Sequence, residues 1–360
     1  MKRPARLADG RELIYFDDAD TRLGPERRID ERPLDPRPET ATMRQDVLTG
    51  DWISIAAARQ NRAFLPPAEF DPLAPQSPTN PSEIPDVYDV AVFENRSPSF
   101  GPELGDADVT GVGFERTAPS YGRCEVVCFS PETTGSLATQ TPSRARTVIE
   151  AWADRTAALS AMDGIRQVFP FENRGEAIGV TLHHPHGQIY SYPYVTPRMQ
   201  RTLAAADAVG GDLFGRVLER ERAGDRVVLS GEHWTAFVPF AARWPIEVHL
   251  LPHRHVADFA ETTDAERDEL APLYLRLLRG IDALYDTPTP YIAGWHQAPT
   301  GEGREKVRLH LELTSPRRAA DKLKYLAGSE AAQGAWIGDV VPEAQAERIR
   351  TAIETVSDHD

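Results

Sequence analysis

The chain has 360 residues, 41% of them hydrophobic and 26% charged, with a formal net charge of −15. These are the proportions of a folded globular protein long enough for two domain-sized cores or one large double core. The negative balance argues against nucleic acid or an anionic membrane as a partner, since a phosphate polymer needs a broad basic field, yet a small phosphorylated ligand needs only a local cluster of arginines.

The start, MKRPARLADGRELIYF, lacks the apolar stretch of a secretory signal, and no run reaches membrane-spanning length, so a cytoplasmic location is expected. Residues 27–85 are proline-rich and irregular, with one strand-like run, DWISIAAA. Two β-rich segments follow, YDVAVFENR and CEVVCFSP. The second holds Cys124 and Cys128, whose spacing suits neither a disulfide framework nor a C-x-x-C pair, so both read as buried thiols. A long amphipathic helix is predicted from Thr141 as cap and Pro142 as its first residue. Then come a strand, IRQVFPFENRG, and the segment HHPHGQIY.

The same order recurs. HWTAFVPFA and IEVHLLPH precede a helix that opens on Thr263 with Glu266 three residues later, a capping box. That helix carries Leu270, Leu273, Tyr274, Leu277, Leu278 and Ile281 on one face, and PYIAGWHQAP and VRLHLEL follow it. The repeat predicts an α+β chain of two related units, each an antiparallel sheet with a long packed helix, covering residues 1–210 and 211–360. Glu125 and His186 lie 61 residues apart and Glu247 and Glu312 lie 65 apart, and in the second unit His310 aligns with His184 and Glu312 with His186, so that only the first unit keeps the histidine cluster.

HHPHGQIY, residues 183–190, concentrates three histidines around Pro185 and follows them with Gly187 and Gln188. Along an extended strand His184, His186 and Gln188 would share one face, bringing two imidazoles and a carboxamide to one small volume. A turn stiffened by Pro185 is the plainer structural reading, but three such groups at period two favour a working site.

With FENRGEAIGVTLHHPHGQIY, the arginines of DWISIAAARQNR, CFSPETTGSL, GWHQAP and KYLAGSE, the chain from about Arg44 onward resembles the galactose-1-phosphate uridylyltransferase family of the histidine-triad superfamily. The resemblance implies two fused histidine-triad-like halves, a homodimer, and a role in galactose catabolism. It implies UDP-glucose and galactose 1-phosphate as substrates, with His186 as nucleophile on the α-phosphorus and a uridylyl-histidine as intermediate. It also implies that the His184 carbonyl fixes the His186 tautomer and that Gln188 donates to a phosphoryl oxygen. Arg59, Arg62, Asn95, Asn173 and Thr181 take the places of residues that hold the nucleotide, and Lys324 and Glu330 those that hold the sugar phosphate across a subunit boundary. Ser329 stands where a tyrosine is common.

Metal is where the chain departs from the resemblance, and the chemistry itself calls for no cofactor. A zinc site built from a C-x-x-C pair, a histidine and the first histidine of H-P-H would here have Asp71, Ala74, Thr133 and His184, too few ligands for structural zinc. A second site for zinc or iron keeps a partial set, His296, His310 and Glu312, with Thr202 in place of the expected glutamate. Two other functions remain at this stage: a nucleoside-diphosphosugar or dinucleotide phosphorylase on the same scaffold, and a metal-binding module using HHPH, which would leave Gln188 without a role.

Overall fold

The computed structural model describes residues 1–35, 37, 41–57, 66–102 and 109–356. In chain order its strands and helices are β1 (Lys2–Arg6), β2 (Glu12–Phe16), β3 (Thr42–Gln45), β4 (Trp52–Ile55), β5 (Val90–Glu94), β6 (Thr117–Pro119), β7 (Arg123–Cys128), α1 (Pro142–Ser160), β8 (Gln167–Arg174) and β9 (His186–Tyr192). The chain continues through α2 (Pro197–Val209), α3 (Leu213–Arg222), β10 (Val227–Ser230), β11 (Trp234–Phe237), β12 (Ile246–Pro252), α4 (Asp264–Asp282), β13 (Tyr291–His296) and β14 (His310–Ser315). It ends with β15 (Arg317–Ala319), β16 (Lys322–Leu323), α5 (Gly328–Gln333) and α6 (Pro342–Thr355).

Both long helices start where their caps predict. The Thr141 hydroxyl accepts from the Arg144 amide, and Thr263 and Glu266 form the reciprocal capping box. Leu270, Leu273, Tyr274, Leu277, Leu278 and Ile281 of α4 are all buried. Cys124 and Cys128 are buried and form no disulfide. Among the described residues no helix is long and apolar enough to cross a membrane.

The two predicted sheets are one. Eleven strands run in the order β1-β2-β5-β7-β9-β8-β13-β14-β12-β11-β10, and the halves meet where β8 pairs antiparallel with β13. One face, carrying Val168, Ile189, Ala293, Leu311 and Val248, packs with α1, α4 and α6 in a continuous core centred on Trp152, Phe259, Tyr274 and Trp295. Because side chains alternate along a strand, the opposite face displays Phe169, Phe171, His186, Gln188, His296, His310 and Glu312.

This pairing corrects the alignment of the halves. Val248 lies on the helix-covered face, so Glu247 faces the other way, whereas Glu125 bonds Arg155 of α1 and faces the helices. The strands β9 and β14 begin at His186 and His310, and each of those rings donates from Nδ1 to the carbonyl two residues back, at 2.7 Å to His184 and 2.8 Å to Arg308. His310 is therefore the counterpart of His186, not of His184, and Glu312 that of Gln188.

Glu172 pairs with Ala293 across the central seam and is buried. Burial pushes this carboxyl up to about 7, against the lowering influence of Arg174. A raised carboxyl binds its proton in the folded chain after the unfolded chain has released it. Stability should thus fall as pH rises from about 4.5 to about 7, by roughly 2–4 kcal/mol in all. Denaturant titrations should show Glu172→Gln gaining on the parent protein between about pH 5 and pH 8. A constant difference between the two across that range would refute this assignment.

Candidate active site

The H-P-H segment is anchored through the His184 ring, His186 Nδ1 and the Pro185 carbonyl. The strand β9 begins at His186, so His186 and Gln188 share its open face, but His184 precedes the strand and its ring lies apart from them, enclosed by Asp71, Tyr88 and Ser130. The expected convergence of three side chains is replaced by two side chains and one carbonyl. That carbonyl, of His184, accepts from His186 Nδ1 at 2.7 Å. With the proton committed to Nδ1, the lone pair of a neutral ring sits on Nε2, the tautomer a nucleophile needs. The Phe129 amide donates to the Pro185 carbonyl at 3.0 Å and fixes the backbone between the two histidines.

Gly187 is required by close approach and not by a turn. A Cβ there would lie 2.8 Å from the Phe129 ring and 3.0 Å from the Phe171 carbonyl. Gln188 pairs with Phe171 of β8 and with Val126 of β7. Asn173 lies two residues beyond Phe171 on the same face, and Thr181 sits half-buried on the loop leading into His184. Asn95 follows β5, two strands from β9 and so about 10 Å away, with its Oδ1 accepting from the Ser97 amide. Arg59 and Arg62 lie outside the described residues.

An aromatic wall escaped the sequence reading. Phe171 and Tyr190 meet edge to face at 5.1 Å, and Phe100 packs against Tyr190, Tyr192 and Tyr194. The period-two run YSYPY was its signal. A cavity of about 860 Å³ lies in the second half, between α3 and β11–β12, and includes neither His186 nor Gln188.

Comparison with known proteins decides the family. The model for the galactose-1-phosphate uridyl transferase N-terminal domain matches residues 37–196, and that for the C-terminal domain matches residues 194–359. The chain belongs to the galactose-1-phosphate uridylyltransferase family. It is 46% identical to the galactose-1-phosphate uridylyltransferase of Streptomyces lividans, over 97% of each chain. With that of Thermotoga maritima it shares 35% identity, covering 86% of this chain and 97% of the relative. A solved uridylyltransferase structure superposes with a TM-score of 0.78 at 31% identity, covering 87% of this chain and 98% of the other.

The residues at the zinc position of the family do not fit a metal. Asp71 does reach His184, with Oδ2 2.6 Å from Nδ1, but His184 Nε2 donates to the Ser130 carbonyl at 2.7 Å, and both ring nitrogens are thereby used. At the second position, His296, His310 and Glu312 do cluster, and His249 joins them, each imidazole Nε2 lying 3.6–3.9 Å from the carboxylate. Arg198 of α2, one turn before Thr202, donates to both Glu312 oxygens. A divalent ion at Glu312 would have to displace this guanidinium. The His296 and His310 rings stack at 5.0 Å and 15°, which aligns them side by side instead of aiming them at a common point. Among the described residues, the group with mutual spacing suited to an ion is Glu232, His233 and Glu269, where Glu269 already accepts from the backbone amides of Glu232, His233 and Trp234.

Lys324 and Glu330 come together with each other. Their side chains are buried and 2.9 Å apart, and Lys324 also donates to the carbonyls of Arg243 and Ile337, which commits all three of its N–H groups. The hydrogen bond from Lys324 holds the Glu330 carboxyl down at about 2. Around this pair the tail exposes Tyr325, Leu326, Trp336 and Ile337.

Proposed function

We propose that this chain moves a uridylyl group from UDP-glucose to galactose 1-phosphate through a covalent uridylyl-His186, giving UDP-galactose and glucose 1-phosphate. The overall transfer is the activity of the family to which the chain belongs. The covalent step rests on one observation, the His186 imidazole whose Nδ1 is tied to the His184 carbonyl on a face shared with Gln188. In the first half-reaction Nε2 bonds to the α-phosphorus while the bond from that phosphorus to the bridging oxygen breaks, and glucose 1-phosphate leaves. In the second, a phosphate oxygen of galactose 1-phosphate takes the uridylyl group and Nε2 recovers its lone pair. Gln188 donates to a non-bridging oxygen as charge builds there.

In this reading the half ending near residue 210 supplies the nucleophile and, through Asn95, Asn173, Thr181, Arg59 and Arg62, the nucleotide contacts. The second half supplies a tail that serves the partner's site in a cytoplasmic homodimer, with neither nucleic acid nor membrane as partner. A substrate panel tests the assignment: UDP-glucose with galactose 1-phosphate should turn over, and ADP-glucose with inorganic phosphate should not. Faster turnover of the second pair would make the enzyme a phosphorylase.

The tail gives a further prediction. Lys324 and Glu330 hold each other, so removing either should disorder the loop between them. Lys324→Ala and Glu330→Ala should slow exchange with galactose 1-phosphate and release of glucose 1-phosphate alike, by roughly ten- to hundredfold, the order expected when a positioning segment is displaced by about 1 Å. Hydrolysis of the uridylyl-enzyme by water should persist. Unchanged sugar-phosphate exchange in both variants would remove the tail from the site.

A further inference from the structure

The loop that carries Asp71 reaches the active-site segment through an unbroken series of hydrogen bonds. Asp71 Oδ1 accepts from the Leu73 amide at 2.9 Å, its carbonyl accepts from Asn80 Nδ2 at 2.8 Å, and its Oδ2 lies 2.6 Å from His184 Nδ1. On the far side of the ring, His184 Nε2 donates to the Ser130 carbonyl at 2.7 Å, and the Tyr88 hydroxyl lies 3.0 Å from the same nitrogen. That hydroxyl also reaches the carbonyls of Leu73 and Ser130, at 2.7 and 2.9 Å. Asp71, Tyr88 and His184 are 6%, 1% and 3% exposed, so water does not compete for these bonds. The His184 ring is thus clamped from both sides, and its own carbonyl is the acceptor that orients His186.

We propose that Asp71 is a positioning residue for the transfer, fixing the His184 ring and through the His184 carbonyl the tautomer and aim of His186. A side-chain hydrogen bond thereby does the work for which this position lacks metal ligands. Loosening the clamp lets the carbonyl turn and Nδ1 lose its partner. The His186 proton can then sit on either nitrogen, and fewer molecules present a lone pair at Nε2 in the attacking direction. The carboxylate acts at a distance and touches neither phosphate nor sugar.

The proposal rests on the covalent mechanism above, and its test separates the two. The parent enzyme is mixed with UDP-glucose alone, and the rate and amplitude of glucose 1-phosphate release are followed in one turnover. Absence of a burst in the parent enzyme overturns the covalent reading itself. Given a burst, Asp71→Asn, which keeps size and the Leu73 contact, should slow it at least tenfold while KM for UDP-glucose stays within about twofold. Asn80→Ala is the control: it loosens the same loop without touching the Asp71–His184 contact, and should lower the melting temperature yet leave the burst rate intact. Tyr88→Phe, which removes only the hydroxyl beside Nε2, should slow the burst by a smaller factor, and decides the matter if Asp71→Asn does not fold. A burst unchanged in Asp71→Asn, an equal loss in Asn80→Ala, or an equivalent of zinc that Asp71→Asn releases would each overturn the proposal.

Discussion

Replacing His186 by alanine is expected to abolish both steady-state turnover and the burst of glucose 1-phosphate, a loss of at least about 10⁴-fold. The magnitude follows from the site's construction. In the proposed mechanism one imidazole serves both displacements, so neither half-reaction has an alternative route through another side chain. His186 is the first residue of β9, with Nδ1 anchored at 2.7 Å, and only its own ring presents a nitrogen from that position. Because the side chain is only partly buried on the open face of the sheet, the alanine variant should fold with an unchanged circular dichroism spectrum. Turnover within tenfold of the parent enzyme would mean that uridylyl transfer is direct.

Gln188→Ala should lower the rate of both half-reactions by roughly 10²–10³, the usual effect of deleting one donor to a developing oxyanion, with little change in KM. Gln188 sits two residues from the nucleophile on the same face, between Val126 and Phe171 in the sheet, so its amide is carried by a rigid strand. Gln188→Glu should be at least as damaging, since a carboxylate offers no N–H and repels the phosphoryl charge. Single-turnover rates measured with UDP-glucose decide it. Rates within threefold of the parent enzyme in both variants would strip Gln188 of this role.

Much of the fold was legible because local rules acted alone. Thr141 and Thr263 cap helices whose apolar faces are continuous, and period-two runs marked the central strands. The first hairpin was not legible: β1 is an edge strand of three basic residues around Pro4 and Ala5, KRPAR, without the apolar run that announces a strand, yet it pairs in register with β2 from Lys2–Phe16 to Arg6–Glu12. The continuous sheet was hidden as well, since pairing of β8 with β13 joins segments more than a hundred residues apart. Similar letters in LHLEL suggested an alignment two residues away from the true one, and only the shared Nδ1-to-carbonyl hydrogen bonds reveal the counterpart of His186.

At the site, the motif named His186 and Gln188 but not what holds them. Asp71 and His184 are 113 residues apart, and their contact belongs to tertiary structure. Likewise Arg198 on Glu312 joins α2 to β14 across 114 residues, which no local pattern specifies.

The uridylyl-enzyme itself can be weighed. Enzyme incubated with UDP-glucose alone, then denatured and digested, should carry one uridylyl group on the peptide containing His186 and have released about one equivalent of glucose 1-phosphate. An unmodified chain that nevertheless turns over when galactose 1-phosphate is added, or a uridylyl group on any other residue, would contradict the mechanism.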